Sequence, residues 1–269
     1  MKIDEEIKKK SSFANILIIN DNSSENIDIN TVLFKNIKNL EIVTLKENLG
    51  SQRSIAIGLK YILSEEKDCI VTILDSDGED DPSKVNEMIE LAISESNYIV
   101  TSNRTNRKEN LIFKSLYFLH KIITFLFSVK WISFGNFSSF DSKNLKDVLK
   151  NNSVWLAYSS AISQNCNIKR LYARRQQRYF GKSKVNFQSL VVHSLRVISV
   201  FYKRVVFFSL VYLTLLMFLN SIYDNAYILL LIFGLIFFNF SILIVRILIN
   251  TNKLNSWKNN IKDIKRINL

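Results

Sequence analysis

Short apolar runs alternate with stretches of helical spacing along the first half of the chain. Apolar runs bounded by turn residues are typical of buried strands. Four such runs lie at residues 15–20, 40–45, 68–74 and 98–102. Residues 50–64 carry apolar side chains at helical spacing, and Pro82 stands where the first turn of a second helix would begin. Strands that alternate with helices predict an α/β sandwich with a mostly parallel sheet.

Two long apolar runs follow in the last quarter of the chain. Residues 205–223 and 226–245 contain no charged side chain and are separated only by Asp224 and Asn225. Each run is close to the ~20 residues with which a helix crosses the hydrocarbon core of a membrane, and a backbone in lipid must satisfy its own hydrogen bonds. The pattern predicts a transmembrane helical hairpin over residues 205–249, and a buried hairpin in a soluble core is the alternative.

Cations flank this hairpin, and the turn between its two runs has none. The flanking cations are Lys203, Arg204, Arg246, Lys253 and Lys258. The positive-inside rule therefore places both ends of the hairpin in the cytosol. We expect a multi-pass protein of the inner (plasma) membrane whose N-terminal domain and both termini are cytosolic. Residues 183–204 are expected to form an interfacial amphipathic helix, and residues 250–269 a basic cytosolic tail.

Residues 111–134 form a further apolar and aromatic stretch. It is interrupted by Lys114, His120, Lys121 and Lys130. This spacing suits an amphipathic helix that lies on a membrane, and equally a helix that packs on the domain.

The formal net charge of +12 admits nucleic acid, an anionic membrane surface or an anionic substrate as partner. The basic residues cluster beside the apolar runs and within residues 169–184, and no basic-aromatic RNA motif or zinc-finger spacing occurs. We therefore expect a membrane and an anionic substrate as partners, and no nucleic acid. Cys69 and Cys166 form no CxxC motif and indicate no disulfide framework.

The third apolar run ends in an acidic turn, residues 75–82 (DSDGEDDP), and Asp21 follows the first run in the same way. Ligands of α/β sheets bind at the carboxyl ends of the strands, so Asp21 and Asp75 are expected to share one crevice. Asp75 and Asp77 suit a Mg²⁺ or Mn²⁺ ion that also binds substrate phosphates. Such an ion stabilises the negative charge that develops on a diphosphate leaving group when a nucleotide sugar is cleaved.

A basic segment, residues 174–184 (RRQQRYFGKSK), places five cations around one glycine. A loop of this composition can close over a diphosphate and neutralise it. The same composition is found where a juxtamembrane stretch meets anionic lipid headgroups. We expect the phosphate role, and both roles are compatible.

Together these segments resemble the family 2 inverting glycosyltransferases, which have a GT-A fold. The resemblance is greatest to the polyprenyl-phosphate hexosyltransferases, the dolichol-phosphate mannose synthase-like group. It is carried by the strand-end turn at residues 18–24, the Asn-x-Gly helix entry at residues 48–50, the acidic turn, and the R-x-x-R-x-x-G-x-S-K pattern at residues 175–184. Arg104 matches the family's arginine after the next strand, and the two-helix anchor is a feature of this group.

The resemblance implies a GT-A catalytic domain over residues 1–182 and roles for single residues. Asp21 would contact the nucleotide base, Asp75 the ribose or sugar, and Asp77 the metal. The other donor-binding residues would be Arg104, Arg175, Arg178 and Lys184. The candidate catalytic residues are Asp75, Asp77 and Asp80, and a hydroxyl acceptor would use Asp80 or Asp81 as its base.

Two features depart from the family pattern. The family's first strand, of the type Val-x-Pro-x-Tyr-Asn-Glu, has no counterpart before Asn15. We therefore expect either that the N-terminus is incomplete or that the domain lacks that strand. Asn136 stands where the family has an aspartate, and asparagine cannot act as a general base at neutral pH. A phosphate acceptor is already ionised and needs no base.

The sequence therefore predicts a metal-dependent glycosyltransferase. It would move a sugar, with inversion, from a nucleotide-sugar donor to a lipid-phosphate acceptor, polyprenyl phosphate. Transfer to a hydroxyl of a lipid-linked or other glycan, in the synthesis of cell-envelope polysaccharide, is one alternative. A non-catalytic membrane subunit is another, and a homo-oligomer is left open.

Overall fold

The computed structural model describes residues 2–10, 13–24, 34–105, 111–174, 176–178 and 187–268. The described strands are β1 (Ala14–Asn20), β2 (Ile37–Leu45), β3 (Ile70–Ile73), β4 (Tyr98–Thr105), β5 (Phe134–Asp141), β6 (Asn167–Arg174) and β7 (Ile261–Asn268). The described α-helices are α1 (Lys2–Lys8), α2 (Ser51–Ser64), α3 (Val85–Ser94), α4 (Leu111–Ser128), α5 (Leu145–Val148), α6 (Tyr158–Asn165), α7 (Phe187–Ser199), α8 (Tyr202–Tyr223) and α9 (Ala226–Leu248). Short 3-10 helices cover Pro82–Lys84, Ser142–Asn144, Lys150–Trp155 and Thr251–Asn260.

The strands form two sheets, in the orders β1-β2-β7 and β3-β5-β4-β6, which confirms the α/β class. β1 is parallel to β2 and β4 to β6, whereas β7 is antiparallel to β2, and β5 is antiparallel to both β3 and β4. The expectation of a mostly parallel sheet is corrected, because three of the five pairings among the described strands are antiparallel. The difference comes from strands that the apolar pattern did not reveal: β5 enters between β3 and β4, and β7 returns from the far end of the chain.

Both sheets contribute to one apolar core. Val43 of β2, Ile57 of α2 and Ile99 of β4 belong to it and have no exposed surface. β1 ends one sheet and β3 ends the other, so the strands that precede Asp21 and Asp75 lie at sheet edges. The described residues before β1 form helix α1, and the lack of the family's first strand stays a prediction.

The two long apolar runs form α8 and α9, which pack against each other as a hairpin. Asp224 ends α8 in the left-handed conformation (φ 40°), and the Asn225 side chain accepts a hydrogen bond from the Tyr227 N–H at 2.9 Å to begin α9. Both helices are long and apolar enough to cross a membrane, and only 11% and 6% of their most apolar windows are buried within the protein. A helix of a soluble core would be mostly buried, so that alternative does not fit these two helices.

The residues after the hairpin are a correction to the expected basic tail. They form the 3-10 helix Thr251–Asn260, in which Leu254 and Trp257 are buried, and then strand β7, which pairs with β2. The Arg266 guanidinium lies 3.4 Å from Glu41, its partner across the strand pair. The apolar residues of β7 recur every third position among charged ones, so its sequence lacks the period of two that indicates a half-buried strand.

Helices α4 and α7 expose many apolar side chains although each also packs on the protein. The exposed set is Phe118, Leu119, Phe125 and Leu126 of α4, and Phe187, Val191 and Val192 of α7. Thr124 and Ser128 of α4, and Val197 and Ile198 of α7, are buried. α7 covers Phe187–Ser199 of the expected interfacial helix at residues 183–204, and residues 183–186 lie outside the described part.

Candidate functional site

The acidic turn after β3 is folded by its own side chains. The Asp75 N–H donates to Asp80 Oδ2 at 3.0 Å, and the Glu79 N–H donates to Asp77 Oδ1 at 3.0 Å. Gly78 has φ +84°, a left-handed conformation that favours glycine. Asp81 then accepts from the Ser83 N–H at 3.0 Å and caps the 3-10 helix that begins at Pro82. The sequence therefore places strand, turn and helix start within a few residues, as the pattern predicted.

The carboxylates of this turn differ in burial. Glu79 and Asp80 are buried, with 9% and 4% of their surface exposed. Asp75 and Asp77 are only partly buried and so can be reached from outside. Asp80, bonded to the Asp75 backbone, lies where it holds the turn, and the catalytic role predicted for it stays a prediction.

Part of the basic segment lies directly on the acidic turn. Arg178 Nη2 is 3.0 Å from Asp77 Oδ2, and Arg178 Nε donates to Glu79 Oε1 at 2.8 Å. Gln176 adds two hydrogen bonds, from its N–H to the Glu79 carbonyl at 2.9 Å and from its side-chain amide to Asp81 Oδ2 at 3.1 Å. The hydrogen bond to Glu79 raises the pKa of Arg178 above its usual range. The pairing thus joins the two segments that the sequence singled out separately.

Asp21 connects the carboxyl end of β1 to the start of α2. Its two carboxylate oxygens accept the Leu49 N–H at 2.7 Å and the Gly50 N–H at 2.8 Å. Gly50 has φ +88°, which a side chain would strain. A carboxylate at a helix N-terminus is also favoured by the helix dipole. Asp21 therefore fixes the entry to α2.

A chain of hydrogen bonds runs from α6 to Asp75. The Tyr158 N–H donates to Gln52 Oε1 at 2.7 Å, Gln52 Nε2 donates to Asn136 Oδ1 at 3.2 Å, and Asn136 Nδ2 donates to Asp75 Oδ1 at 3.1 Å. This chain orients the Asp75 carboxylate from β5 and α2. Sequence reasoning missed Gln52. The sequence feature that could have indicated its role is its position in the first turn of the helix after the Asn-x-Gly entry.

The structure brings together Asp75, Asp77 and Arg178, and joins them to Asp21 through the first turn of α2. The side chain of Arg104, at the end of β4, lies outside the described part, as do Arg175 and Lys184. These three predicted donor contacts stay predictions.

The described residues contain no group of three or more His, Cys, Asp or Glu side chains arranged to hold a metal ion by themselves. Asp75 and Asp77 nevertheless supply the hard oxygen donors that Mg²⁺ and Mn²⁺ prefer, and these ions commonly complete their coordination with substrate phosphates and water. The residues present therefore fit a metal that binds together with a phosphorylated substrate.

Comparison with known proteins bears on these same residues. The family model described as glycosyl transferase family 2 matches residues 4–149, a stretch that contains Asp21, Gln52, the acidic turn and Asn136. A search of curated proteins returned no match. Because the family match covers more than half of its residues, the chain belongs to glycosyl transferase family 2.

Proposed function

We propose that this protein is a membrane-anchored glycosyltransferase that moves a sugar from a nucleotide-sugar donor, with inversion, to a polyprenyl phosphate acceptor. The observation that carries the proposal is the pairing of Asp77 with Arg178 at the end of β3, beside an Asp75 held by Asn136. Carboxylates for a metal and a guanidinium for phosphate oxygens then lie at one point of a family 2 domain.

In the proposed transfer, different residues of the chain have different roles. In the transfer, an oxygen of the acceptor phosphate forms a bond to the anomeric carbon. The bond from that carbon to the diphosphate oxygen breaks, and the nucleoside diphosphate leaves with the electron pair. Asp77 would hold a Mg²⁺ or Mn²⁺ ion, which stabilises the charge on the leaving diphosphate. Arg178 adds a second positive charge there, and Asp21 and Asp75 would bind the base and the ribose or sugar.

Asn136 favours a phosphate acceptor over a hydroxyl. Its amide donates to Asp75 and accepts from Gln52, so it orients its neighbours and has no carboxylate with which to remove a proton. Of the two candidate bases, Asp80 is 4% exposed and bonded to the Asp75 backbone. Asp81 accepts hydrogen bonds from Ser83 and Gln176, which hold its carboxylate at the start of the 3-10 helix. A phosphate acceptor is already ionised, and transfer to it needs no base.

The return of the chain supports a hairpin that enters and leaves the membrane on one side. After α9 the chain packs Leu254 and Trp257 against the domain and adds β7 to the sheet of β2. Both membrane ends of the hairpin are therefore tied to the catalytic domain. The flanking cations, with none at the turn, favour the cytosolic side. The exposed apolar side chains of α4 and α7 suit contact with the same membrane surface.

The function is tested with the purified full-length protein, a panel of nucleotide sugars, and either Mn²⁺ or Mg²⁺. We expect release of nucleoside diphosphate with polyprenyl phosphate, none with the dephosphorylated alcohol, and loss of release with a chelator. Release with a glycan hydroxyl but not with the lipid phosphate would move the assignment to the alternative acceptor. No release with any donor, together with no donor binding by calorimetry, would indicate a non-catalytic subunit.

The orientation is tested by cysteine labelling in cells, after Cys69 and Cys166 are replaced by serine. We expect Asn225→Cys, at the turn of the hairpin, to react with a membrane-impermeant maleimide in intact cells. Lys258→Cys, in the 3-10 helix after α9, should react only after permeabilisation, because the positive-inside rule places it in the cytosol. The reverse labelling pattern would contradict the proposed orientation, and labelling of both in intact cells would contradict a hairpin inserted from the cytosol.

A further inference from the structure

A cavity of about 330 Å³ lies where the hairpin meets the catalytic domain. Its lining comes from the start of α8, the end of α9, the 3-10 helix Lys150–Trp155 and α6. None of its lining residues belongs to the acidic turn or to the hydrogen-bond chain that ends at Asp75. It is therefore separate from the donor site.

The lining of this cavity carries positive charge and no carboxylate. Its cations are Lys203, Arg204 and Arg246, and its other polar residues include Asn151, Gln164 and Thr251. Amide and hydroxyl groups can donate hydrogen bonds beside the cations. The chemistry of the lining thus suits an anion with several acceptor oxygens.

Neutral groups hold the two guanidiniums in place. Arg246 donates from Nη1 to the Ser199 carbonyl at 3.1 Å, and its guanidinium carbon lies 3.7 Å from the centre of the Tyr202 ring. Arg204 donates from Nη1 to the Ser128 carbonyl at 2.9 Å. A guanidinium has five N–H donors, so each group keeps its charge and further donors for a ligand. The positions are fixed before any ligand arrives, which lowers the entropy cost of binding.

The N-terminus of α8 opens on the same cavity. Phe201 is its N-cap residue, and the Phe201 side chain makes no capping hydrogen bond. Phe201, Tyr202 and Lys203 all line the cavity. The positive end of the helix dipole favours an anion at this place, and it adds to the three cationic side chains.

From these observations we infer that the cavity binds the phosphate group of a membrane lipid. The inference rests on the proposed insertion of α8 and α9, which puts the cavity at the level of the cytosolic headgroups. Basic pockets between transmembrane helices on that side bind anionic headgroups. An anionic phospholipid and an isoprenoid phosphate share this chemistry, and a lipid bound here would tie the hairpin to the catalytic domain.

The test measures lipid binding to the detergent-solubilised full-length protein by native mass spectrometry and by the shift of its thermal midpoint. The probes are short-chain phosphatidylglycerol, phosphatidylcholine of the same chain length, farnesyl phosphate and inorganic phosphate. We expect saturable binding of phosphatidylglycerol, farnesyl phosphate or both, and little of the other two. Which of the two anionic lipids binds more tightly identifies the source of the phosphate.

Three variants and one control locate the site. Lys203→Gln, Arg204→Gln and Arg246→Gln should each raise the apparent Kd about tenfold, since a hydrogen bond to a charged group contributes roughly this much. Lys253→Gln removes a cation just after α9 that does not line the cavity, and should leave the Kd unchanged. If Arg246→Gln disrupts the hairpin, Lys203→Gln still tests the lipid site, because the Lys203 side chain is exposed and its replacement should not disturb the fold.

Equal binding of phosphatidylcholine, equal binding of inorganic phosphate, or unchanged Kd values in Lys203→Gln and Arg204→Gln would each overturn the inference. Asp77→Asn separates this result from the proposed function, because it should abolish sugar transfer and keep the lipid Kd. Lipid binding without any transfer by the unaltered protein would contradict the proposed function alone. Transfer without lipid binding at this cavity would contradict the lipid site alone.

Discussion

Asp77→Asn is expected to lower metal-dependent sugar transfer by roughly 100-fold or more, since a bound metal contributes several kcal/mol to stabilising the charge of a leaving group. The substitution keeps the size of the side chain and keeps an oxygen for the Glu79 N–H, which Asp77 now accepts. It removes the charge that would bind Mg²⁺ or Mn²⁺. The measurement is the rate of nucleoside diphosphate release as a function of metal concentration.

The fold should tolerate this substitution. The ion pair that Asp77 forms with Arg178 has both side chains 29% exposed, and pairs of this kind contribute at most about 1 kcal/mol to stability. The thermal midpoint should therefore change by only a few degrees. A loss of turnover with an intact midpoint identifies a functional loss.

Asp68→Asn is the matched control, because Asp68 lies at the opposite end of β3 and is exposed. The same change of charge there should leave turnover unchanged. Wild-type turnover in Asp77→Asn would contradict the metal role of Asp77, and equal losses in both variants would indicate a general effect of charge.

The acidic turn and the entry to α2 could be predicted from the sequence because local rules determine them. A short apolar run, acidic residues and Pro82 in succession define a strand, a turn and a helix start, and each is found within a few residues of its predicted place. The hairpin was predictable for a similar reason, since its runs have a length and an absence of charge that the membrane requires.

The contacts made over long distances in the chain could not be predicted in this way. Gln52, Asn136 and Tyr158 form one hydrogen-bond chain, and no pattern within any single segment indicates that they meet. β7 pairs with β2, but its isoleucines recur every third residue, a spacing that also suits a polar tail and does not indicate a strand. β5 lies antiparallel between β3 and β4. This position depends on the path of the whole chain and cannot be predicted from the sequence of β5 alone.

Arg178 of the basic segment pairs with Asp77 and Glu79 of the acidic turn, and neither segment indicates this contact by its own sequence. The guanidinium occupies the place next to the carboxylate where a cation would bind, so a metal ion held by Asp77, as proposed, would compete with Arg178. A donor diphosphate would resolve this competition, because its oxygens can bind both the metal and the guanidinium. Metal and donor should therefore bind more tightly together than apart, in the manner of two ligands coupled through one protein state.

Arg178→Gln tests this competition with two measurements that should move in opposite directions. Without donor, we expect the Kd for Mn²⁺ to fall about tenfold, because a nearby positive charge no longer opposes the ion. With donor, turnover should fall by roughly 10- to 100-fold, because a charge-assisted contact to the diphosphate is lost. Calorimetry with Mn²⁺ and the rate of nucleoside diphosphate release give the two values.

Lys169→Gln is the control for Arg178→Gln, since it breaks an exposed ion pair, 3.0 Å from Glu95, on the strand that leads to the same segment. It should change neither the Mn²⁺ affinity nor the turnover. Unchanged Mn²⁺ affinity in Arg178→Gln would show that the guanidinium does not compete with the metal. Tighter Mn²⁺ binding with full turnover would show that Arg178 only opposes metal binding at the acidic turn and that other cations neutralise the donor diphosphate.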